Sequence, residues 1–305
     1  MYIETIQLYE DRKDVTLTAY ILDDSAEMLQ GRKRPAILIC PGGAYLNCSD
    51  REAEPVALRF TAMGYHAFVL RYSTYLEGGY EIPDVETAKA KEHCQFPKPM
   101  LEIGKAMLLI REHSESWLVD TEQIAVCGFS AGAHNCAMYS VYWNSEYFKN
   151  YFAIDVKVFR PAAIILSYPL TDYIYMKETA LQEMEPEMRS FFELSNLAFT
   201  GKRILAEEMS ERISPILRIG NQTPPTFIWA TAEDDMVPVE HTYRMASALA
   251  KAGIPHEIHV FEQGPHGMGL ADKTSAGRKE DINPIVAQWI SFAEKFLDRH
   301  IKYPI

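Results

Sequence analysis

The stretch Ile124-Ala-Val-Cys-Gly-Phe-Ser130-Ala-Gly-Ala-His-Asn-Cys-Ala-Met-Tyr139 decides how the rest of the chain is read. It starts as a short apolar run with two β-branched residues, Ile124 and Val126, the pattern of a buried strand. It then crosses Gly128-Phe-Ser130-Ala-Gly132 and continues as a helical segment rich in Ala and Met. Gly-x-Ser-x-Gly between a strand and a helix is the nucleophile elbow. The geometry of such a turn explains the residue types. It is tight, and it holds the serine in a strained backbone conformation, so that the hydroxyl projects from the sheet. Side chains at 128 and 132 would collide with neighbouring backbone, which leaves glycine at both. The amide of Ala131 then points at the space above the serine oxygen, as half of an oxyanion hole. Ordinary Gly-Ser loops also match these five residues; the strand before and the helix after are what distinguish the elbow.

Working outward, strand-like and helix-like segments alternate. Residues 2–9 and 15–22 alternate apolar and polar, as in an antiparallel opening pair with one wet face. Pro35–Cys40 reads as a buried strand and runs into Pro41-Gly-Gly-Ala-Tyr45. Ser49-Asp-Arg-Glu52 has the spacing of a capping box and opens a helix carrying Val56, Leu58, Phe60 and Met63, which Gly64 ends. Further strands are expected at 65–72, 161–168, 226–231 and 257–261, and helices at about 99–114, 239–252 and from Pro284 onward. Strands alternating with helices imply an α/β fold with a mostly parallel sheet covered on both faces. Residues 73–97 form a long irregular loop with Tyr75, Tyr80 and Phe96, and long loops in compact domains are often functional. Residues 171–222, helical and acidic with Phe191, Phe192 and Phe199, interrupt the alternation and read as an insertion over the site.

Composition bounds the answer. With 305 residues and no repeat or linker, one domain over 1–305 with an insertion is preferred to two small ones. The net charge of −12 argues against a nucleic-acid backbone or an anionic membrane as partner. The N-terminal Met-Tyr-Ile-Glu-Thr-Ile-Gln lacks the basic-then-apolar pattern of a secretory signal, and no run is long enough to span a bilayer, so the expected location is cytoplasmic. The five cysteines (Cys40, Cys48, Cys94, Cys127, Cys136) have no CxxC spacing and read as buried free thiols rather than a metal site.

A serine hydroxyl needs a base, and the base needs a carboxylate to hold its tautomer and stabilise its cation. In the fold that uses this elbow, the chain order is Ser, acid, His. The acid candidates lie in Ala232-Glu-Asp-Asp-Met-Val-Pro238, directly after the strand 226–231. Asp234 and Asp235 are adjacent, and the residues alone do not separate them. Among nine histidines, His266 in Gly264-Pro-His-Gly-Met-Gly269 lies just past the last strand, where flanking glycines suit a loop that brings an imidazole close to other backbone. His134, four residues past Ser130, precedes the acid and reads as structural; His259 alternates within a strand and reads as a packing or surface residue. The second oxyanion donor is expected from the loop after strand 35–40, through the amides of Gly43 and Ala44.

These residues carry a resemblance. Cys-Pro-Gly-Gly-Ala-Tyr at 40–45, Gly-Phe-Ser-Ala-Gly-Ala-His at 128–134, Ser-Tyr-Pro at 167–169, Thr-Pro-Pro-Thr-Phe at 223–227, Asp-Asp-Met-Val-Pro-Val at 234–239 and Phe-Glu-Gln-Gly-Pro-His-Gly at 261–267 resemble an α/β-hydrolase of the esterase/lipase superfamily, nearest its acetylxylan-esterase-like branch. That branch places its catalytic acid three residues before the valine of the Val-Pro step, here Val237, so the resemblance selects Asp234. Two positions depart from the pattern. Lipase relatives usually have His-Gly-Gly-Gly at the oxyanion loop, where Pro41 and Ala44 stand here; alanine still offers its amide. The strand before the acid ends Trp229-Ala-Thr231, where relatives often have a histidine before the threonine.

The expected function is hydrolysis of a short acyl ester, an acetyl group on a sugar or xylan oligomer, by Ser130, His266 and Asp234, with Gly43, Ala44 and Ala131 as oxyanion donors and no metal or organic cofactor. A small-peptide serine peptidase of prolyl-oligopeptidase type shares the triad order, but the chain has no room for the propeller that type usually carries. A non-catalytic binding protein on the same fold is the reading from a different class, and a complete triad argues against it. The expected partner is a small-molecule ester, and the insertion offers a contact surface for a second copy.

Overall fold

The computed structural model describes residues 1–305. Its strands form one eight-stranded sheet. β1 (Tyr2–Tyr9) and β2 (Arg12–Ile21) are an antiparallel hairpin, and β2 pairs antiparallel with β4 (His66–Arg71). From there the sheet is parallel: β4, β3 (Arg34–Cys40), β5 (Val119–Phe129), β6 (Ala163–Ser167), β7 (Thr226–Thr231) and β8 (His256–Phe261), in the order β1-β2-β4-β3-β5-β6-β7-β8. β3, β6 and β7 are buried along their whole length, because parallel strands have both faces covered by the helices that connect them. β8, at the edge, is only half-buried.

Period-two alternation sends successive side chains to the two layers. Ala36, Leu38, Ile124, Val126 and Ile228 face the layer that holds α2 (Lys98–Glu112) and α3 (Ala131–Tyr142), whereas Ile37, Ile39, Cys127, Phe129 and Trp229 face α1 (Glu54–Ala62) and the C-terminal helix. After α3 come α4 (Glu146–Phe152) and, between β6 and β7, the helical insertion. It runs through α5 (Tyr173–Tyr175), a wider turn at Met176–Ala180, α6 (Leu181–Glu183), α7 (Pro186–Thr200) and α8 (Glu207–Arg212). α7 begins on Pro186, where a missing amide costs nothing, and ends on Gly201 at φ 76°, which closes a helix without the Cβ penalty of that conformation. α9 (Glu240–Lys251) and α10 (Trp289–His300) complete the layers. Trp289 of α10 stacks on Trp229 of β7, centroids 5.1 Å apart, and both are fully buried. All five cysteines are buried and unpaired. No helix is long and apolar enough to cross a membrane.

Four local expectations are corrected. The Ser49 side chain makes no cap; a tight turn at Asp50–Glu52 precedes α1, and the Glu52 carboxyl points into the protein instead of back along the helix. Leu58 is 42% exposed, and the buried face of α1 is Val56, Ala57, Phe60 and Thr61. β5 begins at Val119, not Ile124, because Val119 pairs with Arg34 across a register shift that local hydrophobicity does not reveal. Pro284 does not open the last helix: a short turn at Val286–Gln288 intervenes, and Ile285 is exposed.

The α1 correction is testable by urea unfolding. Phe60→Ala should cost about 3–5 kcal/mol through the cavity it leaves, whereas Leu58→Ala should stay within about 0.5 kcal/mol.

Candidate active site

β5 delivers the chain to Ser130, whose φ of 50° and ψ of −119° are uncommon for a residue with a side chain. Its surroundings over-determine that conformation. The Ser130 N–H donates to Ser167 O at 3.0 Å, tying the turn to the end of β6. A Cβ at Gly128 would lie 2.4 Å from Gly132 O, and one at Gly132 would lie 2.1 Å from Cys40 O and 2.4 Å from Pro41 O. Both glycines are therefore required by close backbone approach, as read from the sequence. Ala131, the first residue of α3, has an amide with no partner inside its own helix.

Ser130 Oγ lies 2.7 Å from His266 Nε2, and His266 Nδ1 lies 2.7 Å from Asp234 Oδ2. The loop after β8 brings the imidazole in; Thr231 at the end of β7 donates its hydroxyl to Gly264 O at 2.7 Å and holds that loop. Asp234 is fixed in turn: its Oδ1 accepts the N–H groups of Met236 and Val237 at 3.0 and 2.8 Å, and its carboxyl is almost fully buried. Asp235 meets His266 only through the backbone, accepting its N–H at 3.3 Å. Of the two adjacent aspartates, only Asp234 reaches the imidazole. Burial acts to lower the His266 pKa, but the charge and hydrogen bond of Asp234, with smaller contributions from Glu52 and Asp235, leave it raised above its ordinary value.

The loop after β3 curls beside the serine. Gly43, Ala44 and Tyr45 all have positive φ, at 127°, 55° and 58°. Leu46 and Asn47 donate to Gly43 O, while the amides of Gly43 and Ala44 donate to no group of the protein. This loop, Ser130 and His266 share an open cleft of about 450 Å³. The long loop and the insertion both reach it: Tyr80 and Ile82 from the 73–97 loop and Phe191 from α7. Tyr75 and Tyr173 are buried, whereas Tyr80 is open, at 70% exposure, with its hydroxyl donating to Asp50 Oδ2.

His134 is occupied elsewhere. Its Nδ1 meets the Tyr45 hydroxyl at 2.6 Å and its Nε2 meets Ile213 O at 2.8 Å, and burial lowers its pKa to about 4. It is a neutral brace under the loop after β3. His259 stacks flat on Phe292 at 4.4 Å, a packing role.

Two residues of the site were not singled out from the sequence. Glu52, 4% exposed, accepts the Gly42 N–H at 2.7 Å and the Tyr168 hydroxyl at 2.6 Å. Tyr168 presents its ring edge-on to His266 at 5.0 Å, and its oxygen accepts the Gly269 N–H at 3.0 Å. The capping-box spacing masked Glu52, and Tyr168 stood out only as part of Ser-Tyr-Pro. No local pattern pairs two residues 116 positions apart.

The BD-FAE family profile matches residues 27–249, a span that holds Gly43, Ala44, Ser130, Ala131 and Asp234. The chain is 31% identical to endo-1,4-beta-xylanase B of Butyrivibrio fibrisolvens over 257 residues, which cover 84% of this chain and 35% of that protein. It spans about a third to about half of the length of the curated relatives it matches. Solved structures match over nearly full length. The acetyl ester-xyloside bifunctional hydrolase of Caldicellulosiruptor lactoaceticus is 29% identical with a TM-score of 0.73, over 97% of this chain and 96% of that one. The carboxylesterase Cest-2923 of Lactobacillus plantarum is 25% identical with a TM-score of 0.78, over 98% of each. With the family match spanning most of the chain, and with the elbow and sheet order of the fold in place, the chain belongs to the BD-FAE family and has the α/β-hydrolase fold, similar to esterases of the acetylxylan-esterase-like type.

Proposed function

We propose that this chain is a serine carboxylic-ester hydrolase that removes short acyl groups, acetyl above all, from sugars or xylan oligomers. The observation that carries the reading is the continuous hydrogen-bond chain from Ser130 through His266 to Asp234 beside the unpartnered amides of Gly43 and Ala44. The names of two relatives support the choice of substrate: one is an acetyl ester-xyloside hydrolase and another a xylanase. The cleft is open enough to admit a sugar ring, with Tyr80 at its rim.

The chemistry follows from what each group can do. Neutral His266 accepts the Ser130 proton at Nε2 as Oγ attacks the acyl carbon. The carbonyl oxygen takes up the negative charge, and the amides of Gly43, Ala44 and Ala131 stabilise it. His266 then returns the proton to the leaving alcohol, which departs and leaves the acyl group on Ser130. Water, deprotonated by His266, attacks the acyl-enzyme; the acid leaves and Oγ recovers its proton. Asp234 holds the Nδ1–H tautomer and stabilises the imidazolium throughout.

Acetate release from acetylated xylose oligomers tests the proposal. The wild type should release acetate, and Ser130→Ala should lose at least about a thousandfold in kcat. Release undiminished in Ser130→Ala would overturn the nucleophile, and no release by the wild type would overturn the substrate. The pH profile tests the base. Only neutral His266 can accept the proton, and its pKa is raised, so kcat/KM should fall as pH drops through a midpoint above the ordinary histidine value of about 6.5. Asp234→Asn should move that midpoint to lower pH and cost roughly 10⁴-fold in kcat.

A further inference from the structure

Glu52 is a buried carboxyl that the reaction above does not use. Both its oxygens accept hydrogen bonds, Oε2 from Gly42 and Oε1 from Tyr168, the pattern of an ionised acid. Gly42 precedes the oxyanion loop and sits in a space with no slack: a Cβ there would lie 2.7 Å from Phe129 O, 2.8 Å from Glu52 Oε2 and 2.9 Å from Ser130 Cβ. The Glu52 carboxyl and the Ser130 side chain thus both lie against Gly42. On the carboxyl's other side, Tyr168 donates to Glu52, accepts from Gly269 three residues past His266, and lays its ring against the imidazole. Gly269 is pinned from its far side by Trp289 Nε1 on its carbonyl at 3.0 Å. Gly42, Glu52, Tyr168 and Gly269 thus form one chain of hydrogen bonds that joins the oxyanion loop to the histidine loop.

Joining two loops does not by itself require a charge. Burying an ionised carboxyl is costly without a paired cation, and a neutral donor–acceptor pair would join the loops more cheaply. Arg51, the cation next to Glu52 in the chain, is engaged by Ser275 O and Asp281. The groups facing His266 are Asp234, Asp235, Glu52 and the Tyr168 ring, and the cation that forms among them is the imidazolium itself. We propose that Glu52 is a positioning residue of this site, which sets the oxyanion loop through Gly42 and the His266 loop through Tyr168 and stabilises the imidazolium with its negative charge. The inference rests on the serine-hydrolase reading above. Burial acts to raise the Glu52 pKa and so works against its charge, while the hydrogen bonds of Tyr168 and Gly42 and the positive charges of His266 and Arg51 favour the ionised form.

The experiment uses p-nitrophenyl acetate, which reports the triad whatever the natural alcohol. The full chain is compared with Glu52→Gln, Glu52→Asp and Tyr168→Phe for kcat, KM, the midpoint of the acid limb and Tm. Glu52→Gln keeps the volume and removes the charge. It should lower kcat roughly ten- to a hundredfold with KM within about threefold, and move the midpoint to lower pH. Glu52→Asp keeps the charge, so its midpoint should stay at the wild-type value while kcat falls. Tyr168→Phe breaks the link to the histidine loop and should lower kcat without raising KM. A purely structural role would lower Tm and leave the midpoint where it was; that result in Glu52→Gln would overturn the inference. If Glu52→Gln does not fold, Tyr168→Phe decides, and a wild-type kcat there overturns it. A wild type with no ester hydrolysis would remove the underlying reading, and this one with it; an active wild type matched by Glu52→Gln would remove this one alone.

Discussion

At Gly132 a single methyl group would sit 2.1 Å from the carbonyl oxygen of Cys40, closer than any carbon and oxygen can rest. The site depends on that contact. It lets the first turn of α3 lie against the end of β3, so that the Ser130 turn and the Gly43–Ala44 loop, one leaving β5 and the other β3, start from adjacent points of the sheet. Ser130 then has nowhere to go but the strained conformation it adopts, held by the Ser167 carbonyl on the next strand over. A looser α3 would relax the serine and move the Ala131 amide away from the amides of Gly43 and Ala44. The strain is sustained by packing around it rather than by anything in the serine itself.

The sheet distributes the remaining functional groups by the same logic. In a parallel sheet the carboxyl ends of the strands lie on one side, and loops leaving them converge. β3 contributes Gly43 and Ala44, β5 Ser130, β6 Tyr168, β7 Asp234 and β8 His266. Five successive neighbours in the sheet each place one part of the proposed site, and strands rather than loops set the spacing between them. The insertion takes no part in the hydrogen-bond chain. It stacks Phe199 on Tyr45 at 4.0 Å, which backs the oxyanion loop, and turns Phe191 toward the cleft. The Ser130–His266–Asp234 geometry and the shape of the cleft are thus carried by different parts of the chain.

Charge within the site is unevenly placed. Asp234 and Glu52 are both buried near His266, while His134 and His241 are kept neutral by burial, their pKa values lowered to about 4 and about 3. One histidine among the buried ones has carboxylates around it, and it is the one whose ring nitrogen faces a serine. In a low-dielectric interior this contrast separates the proposed base from a packing residue more sharply than proximity does, since His134 also lies one helical turn from Ser130.

Much of this was legible in the residues alone. The strand Thr226–Thr231 was read with its true bounds, because a fully buried strand between turn residues announces both of its ends. The elbow and Ser130 were legible because two glycines and a serine at fixed spacing satisfy a purely local steric demand. His266 was legible from chain order, a property of topology that sequence preserves. What the residues could not reveal depends on partners distant in the chain. Asp234 and Asp235 differ only in which side chain reaches an imidazole some thirty residues on, a choice made by the turn that Met236 and Val237 close on Asp234. Leu58 looked like core because its neighbours were, yet the angle at which α1 lies on the sheet leaves it in water. Glu52 looked like a helix cap, and Tyr168 like the end of a strand. Their hydrogen bond exists only because β6 and the start of α1 meet beneath the cleft, and pairings of that kind are decided by how layers pack, which no local pattern encodes.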